Sequence, residues 1–207
     1  MNKLISLKGI SYVIDKKIII NNISLNIFKN QIIGLKGPNG AGKTTLLKLM
    51  SGLLQPTSGS LTRDYKDNFC TSFIFQNPKF LNSTVYNNLQ HALYCRDTPR
   101  NMRHRSIKML LERYSLEYLS EKHIHQLSGG ELQLLSLLRS LIIQPKLIFY
   151  DEPTNNLDTN NASLILDILT NCIRNETQII LVTHDDRFAN ELNCSTVILE
   201  EGRIVYE

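Results

Sequence analysis

Gly37-Pro38-Asn39-Gly40-Ala41-Gly42-Lys43-Thr44 fits G-x-x-x-x-G-K-[ST] and stands between an apolar run and an amphipathic one, the context in which such a loop cradles phosphate. Glycines at 37, 40 and 42 let consecutive N–H groups face inward, and the helix that follows adds its positive end to the same anion site. Triphosphate is the natural occupant. Lys43 would neutralise its β- and γ-phosphates, the Thr44 hydroxyl would ligate Mg²⁺, an ion that keeps several waters and takes few protein oxygens, and Thr45 completes the nucleotide-binding set. A second constellation is Leu147-Ile148-Phe149-Tyr150-Asp151-Glu152, an apolar strand ending in two carboxylates, where parallel α/β sheets place their chemistry. Adjacent strand residues point opposite ways, so one acid can hold the Mg²⁺ shell while the other serves as base for an attacking water. Third, Leu127-Ser128-Gly129-Gly130-Glu131 precedes a long apolar helix. Ser128 and Glu131 read as a capping box, and two bare glycines at a helix start make a further anion site. One nucleotide has a single triphosphate, so this surplus site points to the ATP of another subunit.

The elements that must position these residues follow from periodicity. Ile23, Leu25 and Ile27 alternate with polar residues and Ile32 to Leu35 is a short buried run, which predicts strands over the first 36 residues. Leu46, Leu47 and Met50 fall at helical spacing up to a stop at Gly52. Ser72 to Phe75 is a strand candidate, and from about Leu81 to His123 the pattern turns helical, with Ile107, Leu110, Leu111 and Tyr114 on one face. Helix Gly130–Ile143, strand Leu147–Tyr150, helix Asn160–Ile173, strand Gln178–Val182, a short helix near Phe188 and a strand pair turning at Glu201-Gly202 complete the chain. That alternation predicts an α/β fold with a mainly parallel sheet and an inserted helical subdomain. The 207 residues are expected to form one domain, the helical subdomain covering about 81–143.

Composition narrows the function classes. With 42% hydrophobic and 20% charged residues the chain is an ordinary globular one. Its net charge of +4 lacks the dense basic face of a dedicated nucleic-acid binder. The cluster Arg96, Arg100, Arg103, His104 and Arg105 has no interleaved aromatics in sequence and reads as a solvated helical face, so no nucleic-acid partner is expected. Cys70, Cys95, Cys172 and Cys194 have no Cys-x-x-Cys spacing and are expected to be reduced and structural. The N-terminus carries no secretory signal, and the longest apolar stretch, Leu132 to Ile143, is interrupted by polar residues, so a cytoplasmic location is expected, with membrane association only through a partner.

At these residues the chain resembles the ATP-binding-cassette family, in particular the nucleotide-binding subunit of a transporter, over essentially its whole length. Beside the phosphate loop, Leu127–Glu131 is similar to the family's signature, Leu147–Glu152 to its Walker B strand, and Asn156-Leu157-Asp158 to its D-loop. Gln76 matches the Q-loop, His184 in Val182-Thr183-His184-Asp185 the switch histidine, and Tyr12, upstream of the phosphate loop, the aromatic that stacks on adenine. The resemblance implies a P-loop NTPase (RecA-like) core with an antiparallel β subdomain at its N-terminus, and an ATP sandwich, in which two cassettes pack head to tail and each ATP lies between one phosphate loop and the other chain's signature. It implies that Glu152 polarises the water, His184 contacts the γ-phosphate, Gln76 senses the attacking water and Mg²⁺ alongside Thr44 and Asp151, and Asp158 couples the two sites. Glu131 stands where Gln is frequent, and Leu132 and Leu134 where polar or basic residues are usual, while Arg139 keeps its place.

Two functions remain open at the level of sequence: an ATPase subunit driving a separate membrane permease, or a soluble cassette protein of iron-sulfur assembly or translation. Translation factors of the family carry two cassettes in one chain and DNA-repair relatives insert long coiled coils, and neither fits the short stretch between Gln76 and Leu127. Gln76-Asn77-Pro78, followed by Thr84-Val85-Tyr86-Asn87-Asn88-Leu89, is similar to importers, where this region meets the permease. The resemblance is greatest to importers of oxyanions such as tungstate, molybdate or phosphate, with a periplasmic or extracellular binding protein as a further partner. The chain ends soon after its last strand pair, so no C-terminal regulatory domain is expected.

Overall fold

The computed structural model describes residues 2–64, 71–154 and 157–206; Cys70 and Asn156, singled out above, lie outside the described residues. In chain order the elements are β1 (Lys3–Ile14), β2 (Lys17–Phe28), β3 (Ile33–Lys36), α1 (Lys43–Ser51), β4 (Ser58–Arg63), β5 (Thr71–Ile74), α2 (Val85–Tyr94), α3 (Arg100–Arg113), α4 (Gly129–Leu141), β6 (Leu147–Asp151), α5 (Thr159–Arg174), β7 (Gln178–Val182), α6 (Asp186–Glu191), β8 (Ser195–Glu200) and β9 (Arg203–Tyr206). The predicted strands and the helices outside 81–123 are present with ends shifted by a residue or two, whereas the 81–123 stretch divides into α2, α3 and a short 3₁₀ turn, and β4 is not among the predicted strands.

β1 and β2 pair antiparallel from Lys3 against Phe28 to Ile14 against Lys17, and β4 lies on the other edge of β1. Alternation sends Ile23, Leu25 and Ile27 inward, as their spacing demands. The second sheet has six strands in the order β5-β6-β7-β3-β8-β9, parallel from β5 to β8, with β9 antiparallel on the edge. β6 and β7 are buried along their whole length, which explains why they read as continuous apolar runs rather than alternating ones.

Three apolar clusters hold these layers together. One packs the three-stranded sheet and α1 against one face of the parallel sheet through Leu46, Leu47, Phe149 and Val182. A second packs α4, α5 and α6 on the opposite face through Leu134, Ile165 and Phe188. Leu134, unusual in sequence, belongs to this core. A third joins α2, α3 and α4 through Leu89, Leu111 and Leu138. Ile107 and Leu111 are buried there, while Leu110 and Tyr114 are only half-buried, because α3 offers a narrow apolar stripe to a small neighbour.

The Thr84–Leu89 motif acquires a structural reason. Thr84 caps α2 by accepting from the Asn87 amide (3.2 Å), and Val85 and Leu89 are fully buried. Buried Asn88 accepts from the Leu81 amide (2.9 Å) and donates to the carbonyls of Leu81 (3.1 Å) and Thr84 (2.9 Å). The loop that follows Gln76 is thereby fixed to the helix bundle.

The expectation about the basic cluster needs one correction. Although no aromatic interleaves it in sequence, Arg103 lies over the Tyr94 ring (5.1 Å to the centroid) and His104 Nδ1 is 3.2 Å from the Tyr86 hydroxyl. Packing α2 against α3 brings these rings in from a different helix, which no local spacing reveals.

Candidate nucleotide-binding site

The strand order brings the chemistry together. From β5 to β3, four neighbouring parallel strands end, side by side, in Gln76, in Asp151 and Glu152, in His184, and in the 37–44 loop. This is the C-terminal edge at which open α/β sheets bind ligands.

Gly37, at φ 139, lies so close to β8 that a Cβ would sit 2.0 Å from the Leu199 carbonyl oxygen. Gly42, at φ 99, would place one 2.9 Å from both the Ile19 carbonyl and Ile20 Cδ1. Only glycine satisfies both close approach and positive φ at these two positions. The loop is braced at its far side, where the Gly202 amide donates to the Ala41 carbonyl (3.1 Å). Pro38, Asn39 and Gly40 are exposed at its tip. α1 has Gly42 as its N-cap, with no side-chain cap and no acidic residue in its first turn, so its first amides have no carboxylate or hydroxyl competing with a phosphate. Lys43 is 6% exposed, and its ammonium donates to the carbonyls of Gly37 (2.8 Å) and Pro38 (2.9 Å). Burial holds its pKa below the ordinary lysine value, partly offset by Glu152 and Asp151.

Asp151 and Glu152 diverge as anticipated, though through a sharper device than strand alternation. β6 ends at Asp151, and Glu152 turns into the left-handed region at φ 54 with its amide on the Val182 carbonyl (3.0 Å). Asp151, 4% exposed, accepts from the Thr44 hydroxyl at 2.9 and 3.0 Å. Burial pushes its carboxyl above the usual range, the Thr44 hydrogen bond pulling back and the neighbouring Glu152 adding to the rise. A buried carboxylate and a hydroxyl at hydrogen-bond distance are hard oxygen donors short of positive charge, which fits a Mg²⁺ that completes its shell with water and phosphate. Glu152 points to the other strands: Gln76 Nε2 donates to its Oε2 (2.7 Å), and His184 Nε2 lies 3.3 Å from its Oε1. The His184 loop is fixed by Thr183, whose amide reaches the Leu35 carbonyl and whose hydroxyl accepts from Asp185, and by Asp186, paired to Lys36 at 2.6 Å.

Tyr12 is half-buried against the first apolar cluster at an irregular stretch of β1, and pairs with Ile20. Because Ile20 abuts Gly42, Tyr12 is one strand removed from the phosphate loop.

Ser128, Gly129, Gly130 and Glu131 form the start of α4. The capping box is present: Ser128 Oγ accepts from the Glu131 amide (3.2 Å) and Glu131 Oε2 from the Ser128 amide (2.8 Å). It leaves the amides of Gly129 and Gly130 outside its bonds, with Ser128 and Gly129 exposed. Asp158 caps α5, accepting from the amide (2.8 Å) and Nδ2 (2.9 Å) of Asn161. Asn161 in turn fills the space beside Gly130, where a Cβ would be 2.3 Å from its Nδ2. The structure thus gathers Lys43, Thr44, Asp151, Glu152, Gln76 and His184 into one group, and sets Ser128 to Glu131 and Asp158 in a second.

Sequence reasoning missed Gln133 and Lys122 as positioning residues, and placed Arg139 in the family pattern without its role. Gln133 is buried in α4 and donates to the Gln76 carbonyl (3.1 Å). Arg139 donates to the Lys79 carbonyl (2.6 Å) and lies over the Phe80 ring (5.1 Å). Lys122 pairs with Glu131 at 3.0 Å. The polar Gln133 inside an apolar helical stripe was a readable signal, whereas Lys36 and Lys122 leave none.

The sequence pattern of the family described as ABC transporter matches residues 20–155, and that of an AAA domain matches 123–190. An Fe(3+) ions import ATP-binding protein of Pasteurella multocida is 30% identical over 99% of this chain and 61% of its own length. A tungstate uptake system ATP-binding protein of Peptoclostridium acidaminophilum is 34% identical over 87% of both. A sulfate/thiosulfate import ATP-binding protein of Mesostigma viride is 37% identical over 89% of this chain and 56% of its own length. The chain thus spans roughly three fifths of the iron and sulfate relatives. Among solved structures, cbiO1 of Clostridium perfringens, part of the ABC transporter complex cbiONQ, has a TM-score of 0.85 at 25% identity over 100% of this chain and 88% of that one. A dimeric cassette in a post-hydrolysis state with ADP and Pi has a TM-score of 0.83 at 25% identity over 98% and 97% of the two chains. With its motifs assembled on that fold and the family pattern covering most of its length, the chain belongs to the ABC transporter family, among the ATP-binding subunits.

Proposed function

We propose that this chain is the ATP-hydrolysing subunit of an importer, working as a head-to-tail dimer of two copies on a separate transmembrane permease. On this reading residues 1–207 form one cassette domain whose helical subdomain covers about 81–143, held at the cytoplasmic face of the membrane by the permease. The observation that carries it is Glu152, gripped by Gln76 and His184 beside the Thr44–Asp151 pair.

ATP would bind with its adenine on Tyr12 and its phosphates in the 37–45 segment, Lys43 leaving the Gly37 and Pro38 carbonyls for the β- and γ-phosphates. Thr44, Asp151 and the Gln76 amide oxygen would hold Mg²⁺, which would supply charge neutralisation on the phosphates. Glu152 accepts the proton of the attacking water, His184 contacts the γ-phosphate, and Gln76, on the permease-facing loop, reports occupancy to the partner. Ser128 to Glu131 of the second copy would close each site, and Asp158 would link the two. Cargo belongs to the oxyanion class of tungstate, molybdate or phosphate, a reading supported by the tungstate uptake relative and by the Gln76–Leu89 stretch. A binding protein outside the membrane would deliver it. Among the described residues no helix is long and apolar enough to cross a membrane, so the translocation path is assigned to the partner.

The test is affinity capture of the Glu152→Gln chain, co-expressed with its genomic neighbours, from detergent extract in Mg-ATP. Glu152→Gln is expected to retain ATP while hydrolysis falls at least about 100-fold. A polytopic membrane protein should copurify. Capture of ribosomes or iron-sulfur scaffold proteins from the soluble fraction would overturn transport and leave the ATP chemistry standing, and near-wild-type turnover would remove Glu152 as the base.

A further inference from the structure

Lys122 belongs to none of the motifs, yet it is built into the start of α4. Its amide donates to the Leu119 carbonyl (2.9 Å) and its carbonyl accepts from the Val85 amide (3.0 Å), which clamps its backbone between the 3₁₀ turn Glu117–Leu119 and the first turn of α2. Its ammonium is 3.0 Å from Glu131 Oε1 and 5.2 Å from the Tyr118 ring centroid. The other carboxylate oxygen of Glu131 accepts from the Ser128 amide. Desolvation pushes the Glu131 carboxyl up, but the bonds from Ser128 and Lys122 outweigh it and hold the group below its usual range, so the carboxylate is charged.

A charged carboxylate is the wrong sign for this place. The helix N-terminus offers roughly half a positive charge, which a full negative charge on Glu131 exceeds, so an approaching triphosphate would meet net repulsion. Lys122 reverses the balance. It cancels Glu131, and of its three N–H donors one is used on Glu131, leaving others for an incoming anion. The ion pair also keeps Glu131 folded back on the capping box, away from the exposed amide side of Gly129.

We propose that Lys122 is a positioning residue for ATP held across the dimer: by pairing with Glu131 it makes the Ser128–Glu131 turn competent for the triphosphate carried by a second copy of this chain. The inference rests on the two-copy site proposed above and adds a residue and an electrostatic rule to it. It also accounts for how this chain carries Glu131 where a neutral Gln would need no counter-ion.

The experiment is a double-mutant cycle on the purified full chain with Lys122→Met, Glu131→Gln and the pair, plus Lys122→Arg, followed by ATP hydrolysis and by sedimentation in Mg-ATP. Thermal unfolding of each variant checks the fold. Because the ion pair is partly exposed, Lys122→Met is expected to raise the ATP concentration for half-maximal turnover and association about fivefold, more at low salt, with kcat little changed. Nucleotide affinity of the unassociated chain stays at the wild-type value, and Lys122→Arg restores the parent behaviour. In the Glu131→Gln background the same Lys122→Met change should matter by less than about twofold. Equal effects in both backgrounds, or a fall in kcat alone, would overturn the role of Lys122 while leaving the dimer intact. A wild type that binds ATP without ever associating or hydrolysing would overturn the two-copy site, and Lys122's role with it.

Discussion

Asp151 is buried with the Thr44 hydroxyl as its hydrogen-bond partner and another carboxylate next to it, so its ionised form is disfavoured in the nucleotide-free fold. A carboxyl whose folded pKa lies above its unfolded value holds its proton more tightly in the native state. Stability is therefore lost as pH rises through that interval and is recovered on acidification. Asp151→Asn keeps an oxygen for Thr44 and removes the buried charge. At neutral pH, without nucleotide, its melting temperature should exceed the wild type's by about 2–4 °C. The gap should narrow toward pH 4 as wild-type Asp151 takes up its proton, while Mg²⁺-dependent hydrolysis is abolished. Calorimetry across that pH range checks the sign; a variant less stable than wild type at neutral pH would contradict the account of the burial. At this scale much was legible in sequence, because Gly37 to Thr44, Asp151 and Glu152 occur as contiguous strings whose chemistry is local. What was not legible is conformational: the positive φ of Glu152, which aims it at Gln76 and His184, belongs to a residue type that seldom adopts it and leaves no compositional trace.

α4 connects the two halves of the site. Its first turn carries the Ser128–Glu131 box, its middle reaches the Gln76 carbonyl through Gln133, and its last turn reaches the Lys79 carbonyl and the Phe80 ring through Arg139. A movement of the loop after Gln76 is thus mechanically tied to the turn proposed to meet a second chain's ATP. Arg139→Met keeps the aliphatic stem and removes the charged donor. Amide exchange over residues 77–82 should then accelerate about tenfold or more, the scale of one lost charge-assisted hydrogen bond, with α4 itself still protected. Unchanged exchange there would show that Asn88, not Arg139, fixes the loop. The apolar stripe of α4 was readable from its period. Its lateral bonds were not, since Gln133 and Arg139 meet partners 57 and 60 residues away, and periodicity records burial rather than the partner of a polar tip.

For the whole molecule, the strand order is what the sequence withholds. β7 lies between β3 and β6 although it follows both in the chain, and this insertion sets His184 between the phosphate loop and Glu152. Alternating strands and helices imply a parallel sheet, but not which strands are neighbours. The same topology leaves the Ser128–Glu131 turn in a group apart from its own Lys43 and Glu152, which is why a second copy is needed in the proposed mechanism. That requirement can be tested by complementation. Lys43→Ala removes the phosphate-binding ammonium, and Gly129→Asp adds a carboxylate at a position where a Cβ meets no atom within 4 Å, so the fold tolerates it while an approaching phosphate does not. Each variant alone should be inactive, because both of its sites carry the defect. In an equimolar mixture half of the dimers are mixed, and each mixed dimer holds one wild-type site and one doubly defective site. If sites fire independently, activity should return to about a quarter of the wild-type value. A mixture as inactive as its parents, while sedimentation shows the chains exchanging, would mean that one turnover requires both ATP sites, a coupling for which Asp158, bonded to the Asn161 that packs beside Gly130, is the proposed link.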